Sequence, residues 1–128
     1  MQFALVVCDV NDLKKINDSF GHQAGDRFLR QARSIICRNF KNSPVFRVGG
    51  DEFAVLMQGQ DYAHAEEQVA ALEKINRRNA SAGDITIACG MARYAHDRSV
   101  AAVFERADAR MYAYKRQMKG ESAPEDAT

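Results

Sequence analysis

Cysteine is scarce and unpatterned in this chain of 128 residues: Cys8, Cys37 and Cys89 are odd in number, far apart and set in apolar runs. That excludes a disulfide framework and the paired spacing of a zinc site, and it reads as core cysteines in a reducing cytosol. An excess of one charge is lacking too. A formal net charge of +1 gives no global field to attract nucleic acid or a membrane surface, so any phosphate chemistry must come from local charges. No apolar run approaches membrane-spanning length, and no basic segment leads into a cleavable apolar stretch. These residues are therefore expected to be soluble, cytoplasmic and untargeted. Internal repeats and low-complexity linkers are also missing, which leaves one domain, whose core is supplied by a hydrophobic content of 46%.

What is there reads as alternating strands and helices. Phe3 to Cys8 is a short continuous apolar run, the pattern of a strand buried on both faces, and Asp9 stands at its end. From Ala24 to about Phe40, Phe28, Leu29, Ala32, Ile36 and Phe40 recur at helical spacing with arginines on the other face. After Pro44, two extended segments flank Gly49 and Gly50, a pair expected to take positive φ in a tight hairpin reversal. Asp61 reads as the N-cap of a helix marked by Ala65, Val69, Leu72 and Asn76, and Asn79 to Asp84 as a loop. Ile85 to Met91 predicts a further strand, and Ser99 caps a helix with Val100, Val103, Phe104, Ala107, Met111 and Tyr114 on one stripe. The predicted fold class is α/β, an α+β sandwich with a central, mostly antiparallel sheet flanked by helices, over residues 1–120; residues 121–128 read as a disordered tail.

The chemistry-bearing residues gather at the strand ends of that scheme. If the first strand neighbours the hairpin, Asp9 meets Asp51 and Glu52, and converging acids suit a hard cation such as Mg²⁺ that is shared with substrate phosphates. An acidic pair after two glycines can also simply solubilise a loop tip. The stretch DVNDLK, Asp9 to Lys14, leads from strand into helix, where backbone N–H groups can cradle phosphate and Lys14 can add charge. In NDSFGHQAGD, Asn17 to Asp26, Gly21 and Gly25 are expected to shape a tight loop, while Asn17, His22 and Asp26 offer polar edges. Asp26 can accept the N1–H and N2–H of a guanine, or merely favour the start of its own helix.

Four ordered stretches carry a family resemblance: DVNDLK, NDSFGHQAGD, GGDEF at Gly49 to Phe53, and ADARMYAYK ending at Lys115. Together they resemble the GGDEF domain, the catalytic module of bacterial diguanylate cyclases, over Phe3 to about Lys119. The resemblance implies a ferredoxin-like, palm-type nucleotidyl cyclase fold. It also implies condensation of two GTP into cyclic di-GMP with release of pyrophosphate, across a homodimer of facing half-sites, with Mg²⁺ or Mn²⁺. By carry-over, Asp9 and the Val10 backbone carbonyl resemble metal ligands. Asp51 resembles the acid that binds metal and helps deprotonate the attacking 3′-hydroxyl, and Glu52 a further metal-site carboxylate. Asn17 and Asp26 resemble the guanine readers, with His22 beside the nucleotide, and Lys14, Lys115 and Lys119 the phosphate contacts.

Departures from the family pattern shape the remaining expectations. Asn11 stands where a second aspartate is frequent, Leu13 where phenylalanine is, and Lys119 in place of a frequent arginine, keeping charge but losing bidentate geometry. The family's R-x-x-D feedback motif falls at residues 40–43, which read FKNS, so product inhibition through that site is not expected. The segment that usually precedes the first strand is not seen, so the chain is expected to be a piece of a longer protein with an upstream sensor or dimerising part, and weakly active or inactive alone. A domain that binds GTP only to regulate its neighbour is the alternative reading, although members of that kind typically lose signature acids that are intact here.

Overall fold

In the computed structural model, which describes residues 2–120, the first apolar run is buried along its whole length. This is β1 (Ala4–Val10), and unbroken burial is what a strand needs when both faces of its sheet are covered. β1 pairs antiparallel with β3 (Glu52–Met57) on one side and β4 (Ile87–Arg93) on the other, and β2 (Val45–Arg47) adds antiparallel to β3. The sheet order is therefore β2-β3-β1-β4, and every pairing in it is antiparallel.

The helices are α1 (Leu13–Phe20), α2 (His22–Asn39), α3 (Gly59–Ala63), α4 (Ala65–Ala82) and α5 (Val100–Met118). One face of the sheet, with Val6, Cys8, Val10, Phe53 and Val55, packs on Leu29, Ala32 and Ile36 of α2 and Leu72 of α4. The other face, with Leu5, Val7, Ala88 and Ala92, packs on Val103, Ala107 and Met111 of α5. At Gly90 the helix lies so close that a Cβ would collide with its backbone at Ala107 and Met111. Cys8 and Cys89 are buried and Cys37 half-buried, all three as free thiols. Ser99 caps α5 as predicted, its hydroxyl accepting from Ala102 N–H at 3.1 Å. No helix among the described residues is long and apolar enough to cross a membrane.

β4 is an edge strand, yet side chains from α4 and α5 meet its outer carbonyls. Asn79 Nδ2 donates to Ile85 O just before the strand, Asn76 Nδ2 donates to Ile87 O and Asn76 Oδ1 accepts from Ile87 N–H, while Arg110 donates to Met91 O and Arg106 to Arg93 O. Open edges invite pairing with other chains, and filling their hydrogen bonds blunts that tendency. On the α5 face, by contrast, the helix covers β1 and β4 only. An apolar hollow of about 520 Å³ remains over β2 and β3, lined by Phe3, Phe46, Leu56 and Phe104.

Several local expectations are corrected. Gly49 and Gly50 do not have positive φ, because the reversal spans four residues and closes by Val48 N–H to Glu52 O at 3.0 Å rather than by a left-handed two-residue turn. Gly25 shapes no loop: it is a buried position inside α2, where a Cβ would collide with the Asn17 side chain, and Gly21 at φ 91° makes the break between α1 and α2 alone. Asp61 is not the N-cap of α4 but a buried member of α3, its carboxylate accepting from Ser43 Oγ and Gln68 Nε2. Asn79 to Asp84 is mostly helix, since α4 runs on until Gly83 at φ 69° ends it. Val100 leaves the predicted stripe and is exposed, because it starts α5 beyond the sheet. The tail predicted at 121–128 lies outside the described residues.

Candidate functional site

The end of β1 and the start of β3 are neighbours, and the register sets Asp9 directly opposite Glu52. Asp51 sits one residue earlier, and its carbonyl accepts from Val10 N–H at 2.9 Å, so the hairpin tip is stitched to the strand end. The tip is braced from below: Arg47 donates to Gly49 O at 3.1 Å and to Gly50 O at 2.7 Å. A Cβ at Gly50 would meet nothing, and one at Gly49 only ordinary contacts with Glu52. The two glycines thus leave open space in front of the acids rather than relieve strain.

From the opposite side, α5 brings Lys115, whose Nζ donates to Asp9 Oδ2 at 2.7 Å. Asp9 is only 4% exposed, and its second oxygen, Oδ1, is buried without a partner. Burial pushes the Asp9 carboxyl above its usual range; the hydrogen bond from Lys115 opposes that and the charge of Asp51 adds to it. Burial would lower Lys115, but the hydrogen bond and charge of Asp9, with Asp51 behind it, more than offset this and hold the ammonium above its ordinary value. Glu52 is raised by burial and then by Asp108, Asp9 and Asp51. The cluster therefore carries more negative charge than Lys115 neutralises.

Beside it opens a cleft of about 470 Å³ lined by Val10, Asp12, Lys14, Asp51, Lys115 and Lys119. Asp12 enters α1 at φ 69°, a left-handed conformation that aspartate tolerates better than most residues, and it turns the chain sharply from strand into helix. Lys14 is exposed and pairs with Asp18 at 3.0 Å, and Lys119 stands at the C-terminal end of α5. Of the predicted residues, Asp9, Asp51, Glu52 and Lys115 form the cluster, and Val10, Lys14 and Lys119 line the cleft with Asp51 and Lys115. Asn17, His22 and Asp26 do not line it: they lie where α1 meets α2, Asn17 half-buried against Gly25 and the other two exposed.

Two residues escaped sequence reasoning. Asp108 of α5 adds the largest charge effect on Glu52, and its signal was present as the second letter of ADARMYAYK. Asn11, which lines the cleft, ties it to the chain just before β4 and to the end of α5, its N–H bonding Thr86 O and its Nδ2 bonding Thr86 Oγ1 at 2.9 Å and Met118 Sδ at 3.5 Å. Nothing in its spacing announces that.

Among the described residues no set of three or more His, Cys, Asp or Glu side chains is arranged to hold a metal ion. The donors present nonetheless fit Mg²⁺, which binds through one or two carboxylates and completes its shell with water and phosphate oxygens. The unpartnered Oδ1 of buried Asp9 is the kind of atom such an ion satisfies.

The family model for "Diguanylate cyclase, GGDEF domain" matches residues 1–121. The chain is 31% identical over 115 residues to diguanylate cyclase DgcS of Shewanella oneidensis, covering 88% of this chain and 38% of that protein. It is 30% identical over 121 residues to diguanylate cyclase DosC of Escherichia coli K12, covering 89% of this chain and 26% of that one. It thus spans well under half the length of these relatives. Among solved structures, the GGDEF domain of DgcB from Caulobacter crescentus, in complex with c-di-GMP, superposes with a TM-score of 0.72 at 32% identity, over 91% of this chain and 73% of that one. The active GGEEF domain of a diguanylate cyclase from Vibrio cholerae gives 0.75 at 26% identity, over 91% and 78%. The antiparallel sheet between helices is thereby the palm-type nucleotidyl cyclase fold. A match that runs through the sheet and the helices around the cleft, rather than through five signature residues alone, makes this chain a member of the GGDEF domain family.

Proposed function

We propose that residues 1–120 form a diguanylate cyclase domain, which condenses two GTP into cyclic di-GMP and releases pyrophosphate as the cytoplasmic output module of a longer protein. The observation that carries this reading is the buried Asp9 held by Lys115 opposite Glu52, at the mouth of a cleft with four lysines on its walls. Asp9, Asp51 and Glu52, with the Val10 carbonyl, would hold Mg²⁺ or Mn²⁺. When bound, the cation supplies charge stabilisation at the α-phosphate and acidifies a coordinated hydroxyl.

The chain's own groups do the rest. Lys14, Lys115 and Lys119 bind the triphosphate; Asn17 and Asp26 read the guanine edge, with His22 beside the nucleotide. Asp51 takes the proton of the attacking 3′-hydroxyl as the new 3′-oxygen to phosphorus bond forms and the bond to the pyrophosphate oxygen breaks. Lys115 gives one N–H to Asp9 and lines the cleft with the same ammonium, so its remaining donors can take phosphate oxygens while the ion pair stays in place. Each domain holds one GTP, so two must face each other as a homodimer. The test is incubation of the chain, alone and fused to a dimerising coiled coil, with GTP and Mg²⁺, followed by mass detection of cyclic di-GMP. Product that vanishes in Asp51→Ala supports the reading, whereas tight GTP binding by the forced dimer without product replaces it with a regulatory GTP-binding module.

A further inference from the structure

On the face of the molecule formed by α2 and the turn from α4 to β4, positive charge collects without partners. Two adjoining hollows of about 560 and 440 Å³ share Ile35, Arg38 and Asp84 as a common wall. Arg27 and Arg30 line the first with Arg38, and Arg78 of α4 lines the second. Arg27, Arg30 and Arg38 are spaced to share one side of α2. All four are exposed, and among the described residues none forms an ion pair; the one bond from any of these guanidinium groups is Arg38 to Ser34 Oγ at 3.3 Å. Asp84, the single carboxylate in the wall, gives Oδ1 to Ile85 N–H at 2.8 Å. The groove therefore keeps an excess of positive charge in a chain whose net charge is +1.

We propose that this groove is a second anion site, separate from the cleft, that takes the diphosphate portion of a small phosphorylated ligand. It shares no residue with the cleft around Asp51 and Lys115. The cations are arginines, whose planar forks bind phosphate oxygens in pairs, where lysine offers only a point charge. The hollows are concave and each falls in the size range of small-ligand sites, which favours a compact anion over a flat protein surface. Arg38 belongs to both hollows, with Arg27 and Arg30 in one and Arg78 in the other, so a diphosphate seated at the shared wall has arginines on either side.

The test is calorimetric titration of the 128-residue chain with inorganic pyrophosphate and with GTP, in EDTA without divalent cations, against Arg30→Ala/Arg38→Ala and Lys115→Ala. Expected is saturable binding that weakens about tenfold or more in the arginine pair, survives Lys115→Ala, and is only partly recovered by Arg30→Lys/Arg38→Lys. Binding of pyrophosphate itself assigns the site to free diphosphate; binding of GTP alone with the same arginine dependence assigns it to a nucleotide. Both support the proposal. Loss of binding in Lys115→Ala with no change in the arginine pair would place the anion in the cleft and overturn it. So would absence of saturation, or displacement by a poly-glutamate peptide as effective as pyrophosphate. The substituted arginines are exposed, so an unchanged melting curve verifies that the variants fold.

Discussion

Asp9 and Glu52 stand opposite each other in a sheet, where like charges destabilise, and the protein keeps both acids. The raised Glu52 carboxyl means that its ionisation works against folding. Stability tied to this group is fully present below the unfolded glutamate value of about 4.3 and is lost as pH rises through the folded value. Glu52→Gln is therefore expected to raise the melting temperature of the metal-free domain at pH 7 by about 2–5 °C, with the gap closing near pH 4, while cyclase activity is lost. A melting temperature that is unchanged or lower at pH 7 would refute this. Lys115→Met is expected to act in the other direction. It strands a carboxylate only 4% exposed and should cost about 1–3 kcal/mol, read as a shift of the urea midpoint at constant slope.

At the level of elements, the tightest constraint is the seat of α5 on β4. Gly90→Ala forces a methyl group into the backbone of α5 at Ala107 and Met111, so a loss of about 1–3 kcal/mol is expected. A thermal unfolding curve equal to the wild type would show that the helix lifts freely. Elements with strong apolar periodicity, β1, α2 and α5, were legible in the sequence because the pattern that buries them is the pattern one reads. α1 has no buried residue, so neither its existence nor the helical setting of Asn17 could be read from periodicity. Gly25 misled because glycine spacing looks the same whether it frees φ or makes room for a neighbour, here Asn17. Of the candidate site, the acids and Lys115 were legible through motifs, and Asp108 lay unread inside one of them, while Asn11 acts through tertiary contacts that spacing does not encode.

For the whole molecule, the proposed half-site lies on one domain, whereas the proposed reaction joins two nucleotides. Initial rates of cyclic di-GMP formation by the unfused chain are expected to rise with the square of protein concentration in the dilute range, and linearly for the coiled-coil fusion. Linear behaviour of both would mean that one chain suffices. With FKNS at residues 40–43, added product is expected to leave those rates unchanged through the usual feedback motif. Ser43 is instead bonded to buried Asp61, so the position serves packing.

The sealed edge of β4 bears on which changes of length this chain can accept. Arg106, Arg110 and Tyr114 follow one row of α5. The first two reach the strand at Arg93 and Met91, and the third meets Asn76, which holds Ile87. Lys115 follows immediately on the same helix, so the register that closes the edge also delivers the ammonium to Asp9. One residue inserted between Ala107 and Arg110 would turn everything after it by about 100°, unfastening the strand and disarming the cleft together. Point substitutions along α5 can be absorbed one contact at a time, but insertions and deletions there cannot, and divergence within this helix should proceed by replacement alone.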